Sequence, residues 1–128
     1  MGRITGIGGI FFKSRDADGL RRWYGEHLGL RTEGAPVVVL RFREHDDPAR
    51  EGYAVWNPFP QDTAYFDPSP APFMINFRVE GLDDLLARLR AAGAAVDDKI
   101  ESSEYGRFAW FMDPDGNRVE LWEPPREG

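Results

Sequence analysis

The sequence has no cysteine. That excludes disulfides, thiolate metal sites and a cysteine nucleophile, and it is compatible with a reducing compartment. Histidine is scarce: His27 and His45 are the only two, which tightly bounds any histidine-based metal site. No stretch approaches the ~20 consecutive apolar residues that cross a bilayer, so no membrane partner is expected. The N-terminal run Met1-Gly2-Arg3-Ile4-Thr5-Gly6 lacks the apolar stretch and cleavage site of a secretory leader. A cytoplasmic location is the expectation. Positive charge is short as well: sixteen Lys and Arg against twenty-two Asp and Glu leave a net charge of −6. Without a basic run, nucleic acid is not an expected partner.

What is present is a soluble, aromatic-rich chain of 128 residues, enough for one domain or two small halves sharing a core. The halves can be read directly. Shifting the chain by 65 lays Ile10 on Ile75, Phe12 on Phe77, Asp18 on Asp83 and Leu20 on Leu85. Further on, a shift of 66 lays Asp47-Pro48 on Asp113-Pro114 and Trp56-Asn57-Pro58 on Trp122-Glu123-Pro124. An internal duplication follows, with one inserted residue between the two registers.

Both halves have the same coarse pattern. In the first, residues 4–12 alternate loosely as a strand. Asp16 caps a helix with Leu20, Trp23, Tyr24 and Leu28 on one stripe, closed by Gly29. Trp23 is expected in the core. Residues 37–42 and 53–56 read as two further strands. In the second half, 73–79 is a strand, and Leu82, Leu85, Leu86 and Leu89 form the stripe of a helix ending at Gly93. Residues 94–96 make a short strand. Residues 105–112 and 118–122 form a hairpin around Asp113-Pro114-Asp115-Gly116-Asn117. The expected fold is α+β, two tandem βαβββ modules at about 4–58 and 73–124. Between them, residues 57–72 carry prolines at 58, 60, 68, 70 and 72 and read as a stiff connector. Its Phe59, Tyr65 and Phe66 either fold back on a core edge or roof a cavity.

Strand alternation sorts the faces. With Ile10, Phe12, Ile75, Phe77 and Val79 on the helices, the other face carries Gly9, Phe11, Lys13, Met74, Asn76 and Arg78. Pairing Met112 with Arg118 sets Trp110 opposite Glu120 and Phe108 opposite Trp122. By repeat symmetry Trp56 joins this second set. Aromatic walls with a few polar groups are the composition of an organic-ligand pocket, and each stacked ring can add ~0.5–1.5 kcal/mol beyond its area. The candidate ligand-binding residues are Phe11, Lys13, Trp56, Met74, Asn76, Arg78, Phe108, Trp110, Glu120 and Trp122. A solid core remains the competing reading of these rings. A buried Glu120 needs a partner, for which Arg78 and Lys13 are the candidates. It is a structural ion pair, a ligand hydrogen-bond acceptor, or a general base raised by apolar walls.

The run Lys13-Ser14-Arg15-Asp16, Trp23-Tyr24 and Leu28-Gly29-Leu30, followed by residues 105–121 through Asp113-Pro114-Asp115-Gly116-Asn117-Arg118-Val119-Glu120-Leu121, resembles the vicinal oxygen chelate superfamily. That group contains glyoxalase I, bleomycin- and fosfomycin-resistance proteins and extradiol dioxygenases. The resemblance covers roughly residues 4–124. It implies a curved sheet around a U-shaped cavity and, commonly, a homodimer. It does not settle the activity. In metal-dependent relatives the ligand positions fall here on Gly9, Met74, Glu120 and Ala54 (Val55 under the other shift). Three of these four offer no suitable donor to a divalent cation, so no metal or other cofactor is expected. His27 is expected at the helix end or in solvent, and His45 in a solvated turn. The resulting expectation is a metal-free binding protein of bleomycin-resistance type for an aromatic or antibiotic-like ligand. The alternative is a glyoxalase-like lyase or isomerase, or a dioxygenase-like enzyme, using Glu120 as base or as ligand to a divalent metal.

Overall fold

Strand β1 (Arg3–Ser14) and strand β4 (Phe73–Glu80) run antiparallel at the centre of the molecule, with Ile10 opposite Ile75. A computed structural model describes residues 2–32 and 37–125. The isoleucines of β1 recur every third residue, whereas a strand alternates by two. Register shifts between Ile4 and Gly6 and between Ile7 and Gly9 reconcile the two. Each bulge adds one residue and resets the phase. Ile4, Ile7 and Ile10 thereby share one face with Val79, Phe77 and Ile75, leaving Phe11 and Met74 paired on the other.

From this central pair the sheet grows outward in both directions. On one side β3 (Glu51–Pro60) lies parallel to β1, and β2 (Val38–Arg43) forms the edge. On the other, β8 (Arg118–Glu123) lies parallel to β4 and pairs with β7 (Gly106–Met112). The short strands β5 (Ala95–Val96) and β6 (Glu101–Ser103) both pair with β7. The result is one curved, unclosed sheet of eight strands with two helices. In the first half, Thr32 makes an isolated bridge to Val38, and residues 33–36 lie outside the described part. Strand β6 was not expected from the sequence; its three residues are all exposed and carry no apolar alternation.

The helices are unequal. Helix α2 (Leu82–Ala91) buries Leu82 and Leu86 against Val79, Ala109, Val119 and Leu121. Its first N–H, that of Leu82, donates to the Glu123 carboxylate at 2.9 Å. Helix α1 (Ala17–Leu28) starts as expected, with Asp16 Oδ1 accepting from Gly19 N at 2.9 Å, and ends at Gly29 with φ 75°. It buries no residue. The expectation for Trp23 is overturned: it is 51% exposed and stacks on His27 at 4.7 Å. Beneath α1 lie the rings of Phe12 and Trp56, 5.2 Å apart, with Tyr24 4.5 Å from Trp56. Large rings thus lie beneath α1 where smaller aliphatic side chains lie beneath α2.

Two further expectations need correction. Strand β3 continues through Pro58 and Pro60, inside the expected connector. Its pairing with β2 stops at Trp56, while its pairing with β1 runs on to Pro60. Beyond Trp56, among the described residues, no strand pairs with the second side of β3, and a proline N–H missing there breaks no described ladder. The second correction concerns repeat symmetry. Ile10 pairs with Trp56, and the equivalent Ile75 pairs with Val119. Trp56 therefore occupies the place of Val119 on the helix face, not that of Trp122. Among the described residues no helix is long and apolar enough to cross a membrane.

Candidate functional site

The hairpin register follows the sequence reading. Trp110 stands opposite Glu120, Phe108 opposite Trp122 and Met112 opposite Arg118. The turn fixes it: Asp113 Oδ1 accepts from Asp115 N at 3.0 Å and from Asn117 N at 2.8 Å. Ala109, Val119 and Leu121 consequently face α2, and Trp110, Glu120 and Trp122 face the concave side. Parallel pairing of β4 with β8 sets Asn76 beside Glu120 and Arg78 beside Trp122.

Glu120 is 2% exposed and sits among neutral donors. Asn76 Nδ2 donates to Oε1 at 2.5 Å, Trp110 Nε1 donates to Oε2 at 2.8 Å, and the Tyr65 hydroxyl donates to Oε2. Neither candidate ion-pair partner reaches it. Arg78 instead donates to the Glu44 carboxylate and, at 3.2 Å, to the Tyr53 carbonyl. Its guanidinium lies between the Phe42 and Trp122 rings, 5.5 and 5.0 Å from their centroids. Lys13 reaches over Phe66, its Nζ 5.8 Å from the ring centroid. Register explains this: Arg78 is two residues beyond Asn76 on the same face, one pleat too far from Glu120.

Burial raises the Glu120 carboxyl above its ordinary value, outweighing the hydrogen bonds from Tyr65, Asn76 and Trp110 that favour its charge. Burial also raises the Tyr65 phenol far above its usual range, and the neighbouring Glu120 charge adds to the effect. Asn76 Oδ1 is buried without a hydrogen-bond partner. It lies where a side chain on Gly8 would go; a Cβ there would also stand 2.9 Å from Trp122 and 3.0 Å from Arg78. Glycine at this bulge is what lets the Asn76 amide lie flat against β1.

The concave face divides into two parts. Around Glu120, Phe11, Met74, Trp110 and Phe66 form a buried apolar cluster bordered by Val55, Phe59, Tyr65 and Phe108. Around Arg78, Trp122 stacks parallel to Phe108 at 6.0 Å, and its Nε1 donates to the Tyr105 carbonyl at 2.7 Å. Beyond Arg78 opens a cavity of about 550 Å³ that includes His45, Arg50 and Glu123 in its lining. Of the sequence-expected site residues, Phe11, Met74, Asn76, Trp110 and Glu120 come together in the first part. Arg78, Phe108 and Trp122 form the second, with Phe108 bordering both. Lys13 reaches the first only through Phe66, and Trp56 lies on the other side of the sheet. His27 places Nδ1 2.9 Å from the Trp23 carbonyl, at the helix end as expected.

Sequence reasoning missed Tyr65 as the partner of Glu120. The signal was there: aromatic side chains are out of place in a solvated, proline-rich connector. Phe66 is completely buried, and Tyr65 stacks on Phe59 at 5.4 Å with ring planes 9° apart. Of the two expectations for these rings the first holds: they fold back on the core, with Phe66 inside the buried cluster of Phe11, Met74 and Trp110 and with Phe59 and Tyr65 against it.

The positions that the resemblance assigns to metal ligands do not fit a divalent cation here. A side chain on Gly9 would meet the Phe11 ring at 2.9 Å, and Met74 is fully buried in the apolar cluster. Pairing of Phe11 with Asn57 makes Asn57, rather than Ala54 or Val55, the first-half counterpart of Glu120. Its Oδ1 already accepts from Arg21 at 3.0 Å. Three donors point their hydrogens at Glu120, where a cation would need lone pairs. Among the described residues no three His, Asp or Glu side chains gather as a metal group.

A search of curated proteins returns no match. Solved structures share the fold. A methylmalonyl-CoA epimerase from Streptomyces coelicolor is 20% identical, with 97% of this chain and 100% of that one aligned at a TM-score of 0.67. The Mn(II)-bound glyoxalase from Novosphingobium aromaticivorans is 19% identical at a TM-score of 0.63, aligning all of this chain with 43% of that one. A glyoxalase/bleomycin resistance protein/dioxygenase superfamily member from Vibrio splendidus 12B01 is 14% identical, with 96% and 99% aligned at a TM-score of 0.57. The family profile of the glyoxalase-like domain matches residues 9–122. The chain belongs to the glyoxalase-like domain family, within the vicinal oxygen chelate superfamily.

Proposed function

We propose that this protein is a metal-free small-molecule binder that takes an aromatic ligand on the concave face around Glu120. The observation that carries this reading is the convergence of Phe11, Phe59, Met74 and Trp110 on one buried carboxylate held by neutral donors alone. Aromatic walls supply affinity, and a single acceptor supplies orientation. Titration with planar aromatics, read by tryptophan fluorescence, tests it. At least one compound of the panel quenches saturably, and Glu120→Gln weakens that compound about tenfold, the worth of a charge-assisted hydrogen bond. A panel with no saturable quenching contradicts the reading.

The second reading is enzymatic, a glyoxalase-like lyase or isomerase with Glu120 as general base. Its support is the Glu120 carboxyl, raised by burial against three neutral hydrogen-bond donors and the more distant Arg118 charge, on a fold shared with an epimerase and a glyoxalase. Such a base abstracts an acidic C–H proton next to a carbonyl once Tyr65 has left Oε2. It requires a carbonyl ligand whose adjacent hydrogen exchanges with solvent deuterium. Exchange that persists unchanged in Glu120→Gln removes the base.

A further inference from the structure

Residues 61–71 are tied mainly to themselves. Thr63 N donates to the Pro60 carbonyl, Asp67 N to Ala64, Ser69 N to Phe66, Tyr65 N to Thr63 Oγ1 and Ala71 N to Ser69 Oγ. Among the described residues, apart from the local bond to Pro60 at the end of β3, the hydrogen bond that ties this loop to the body is the one from the Tyr65 hydroxyl to Glu120. At its end, the Pro72 carbonyl accepts from Lys13 N at 2.7 Å, so the loop is anchored at both bases. Between those anchors it is a self-contained loop held down by two rings.

Those rings stand where a ligand would. The Tyr65 ring lies face to face on Phe59 and edge-on to Trp110, with centroids 5.4 and 6.3 Å away and interplanar angles of 9° and 87°. Phe59 and Trp110 belong to β3 and β7, so the platform stays when the loop leaves. From these contacts we propose that residues 61–71 are a displaceable plug in which the Tyr65 phenol keeps a ligand's place on Glu120. The ligand that displaces it is a planar aromatic presenting a hydroxyl or N–H donor. The proposal rests on the binding reading above and adds the ligand class and the moving part.

The donor requirement follows from Glu120. Opening the plug removes one of three hydrogen bonds to a buried carboxylate, and an aromatic without a donor leaves that lone pair empty. The plug also taxes affinity, because the ligand binds only the open fraction of molecules. Loosening the plug without emptying the site therefore tightens binding.

The test measures binding of p-cresol and of its ether, 4-methylanisole, to the full-length wild type and to Tyr65→Phe by calorimetry. Proteolytic cleavage within 61–71 is followed in parallel. Tyr65→Phe keeps the ring packing and loses only the hydroxyl, and its melting curve checks that it is folded. In the expected result, wild type binds p-cresol at least tenfold more tightly than the ether. Tyr65→Phe binds p-cresol several-fold more tightly than wild type, and cleavage within 61–71 rises with the same midpoint as binding. Equal affinity for phenol and ether, no gain in Tyr65→Phe, or cleavage that ignores the ligand overturns the plug. If another planar aromatic still binds, the binding reading survives that failure; if no aromatic binds either protein, both fall.

Discussion

A carboxylate hidden from water and held by neutral donors is an energetic liability that a fold keeps only for a reason. Glu120 is that residue here, and its burial has a measurable signature. Its carboxyl is raised above the ordinary 4.5 by desolvation. Below 4.5 both folded and unfolded chains hold the proton. As pH rises from 4.5 through the higher native value, the unfolded chain releases it first, so the contribution of Glu120 to stability falls with rising pH. Glu120→Gln removes this titration while keeping the shape, and turning the Asn76 amide lets its unpartnered oxygen accept from the new amide. The expected outcome is that wild type gains stability relative to Glu120→Gln on going from pH 7 to pH 4.5. Thermal melts of the two proteins across that range check it; parallel curves contradict it.

Among the secondary-structure elements, two helices with similar apolar stripes carry different weight. Leu86 is 2% exposed against the sheet, whereas Leu28 is 64% exposed on a helix with no fully buried residue. Leu86→Ala is expected to cost about 2–5 kcal/mol as a core truncation. Leu28→Ala is expected to stay within about 0.5 kcal/mol. Urea unfolding of both variants measures the difference, and equal losses would mean that α1 packs as tightly as α2. The sequence foretold both helices with their ends, because capping by Asp16 and the left-handed Gly29 are local chemistry. It did not foretell their unequal burial, which depends on the rings of Trp56 and Phe12 brought beneath α1 by distant pairing. The same distinction runs through the hairpin. The Asp113–Asn117 turn sets the β7–β8 register locally, so the concave placement of Trp110, Glu120 and Trp122 was legible.

For the molecule as a whole, the duplication was legible where strands lie next to each other and misleading where they do not. Ile10 and Ile75 meet across the central pair as the repeat implies. Aligning Trp56 with Trp122 by resemblance of their neighbours ignored the register of β3 on β1, and it put one tryptophan on the wrong face. The partner of Glu120 was hidden for a similar reason: nothing periodic links Tyr65 to a strand 55 residues away. What emerges is a family fold whose concave face carries rings and one carboxylate at the positions that the resemblance assigns to metal ligands. The most direct test is calorimetric titration of the chelator-treated protein with planar aromatics, repeated with added Mn(II) or Zn(II). The account predicts saturable binding in the chelated protein, unchanged by either ion. Binding that appears only with a stoichiometric divalent ion contradicts it.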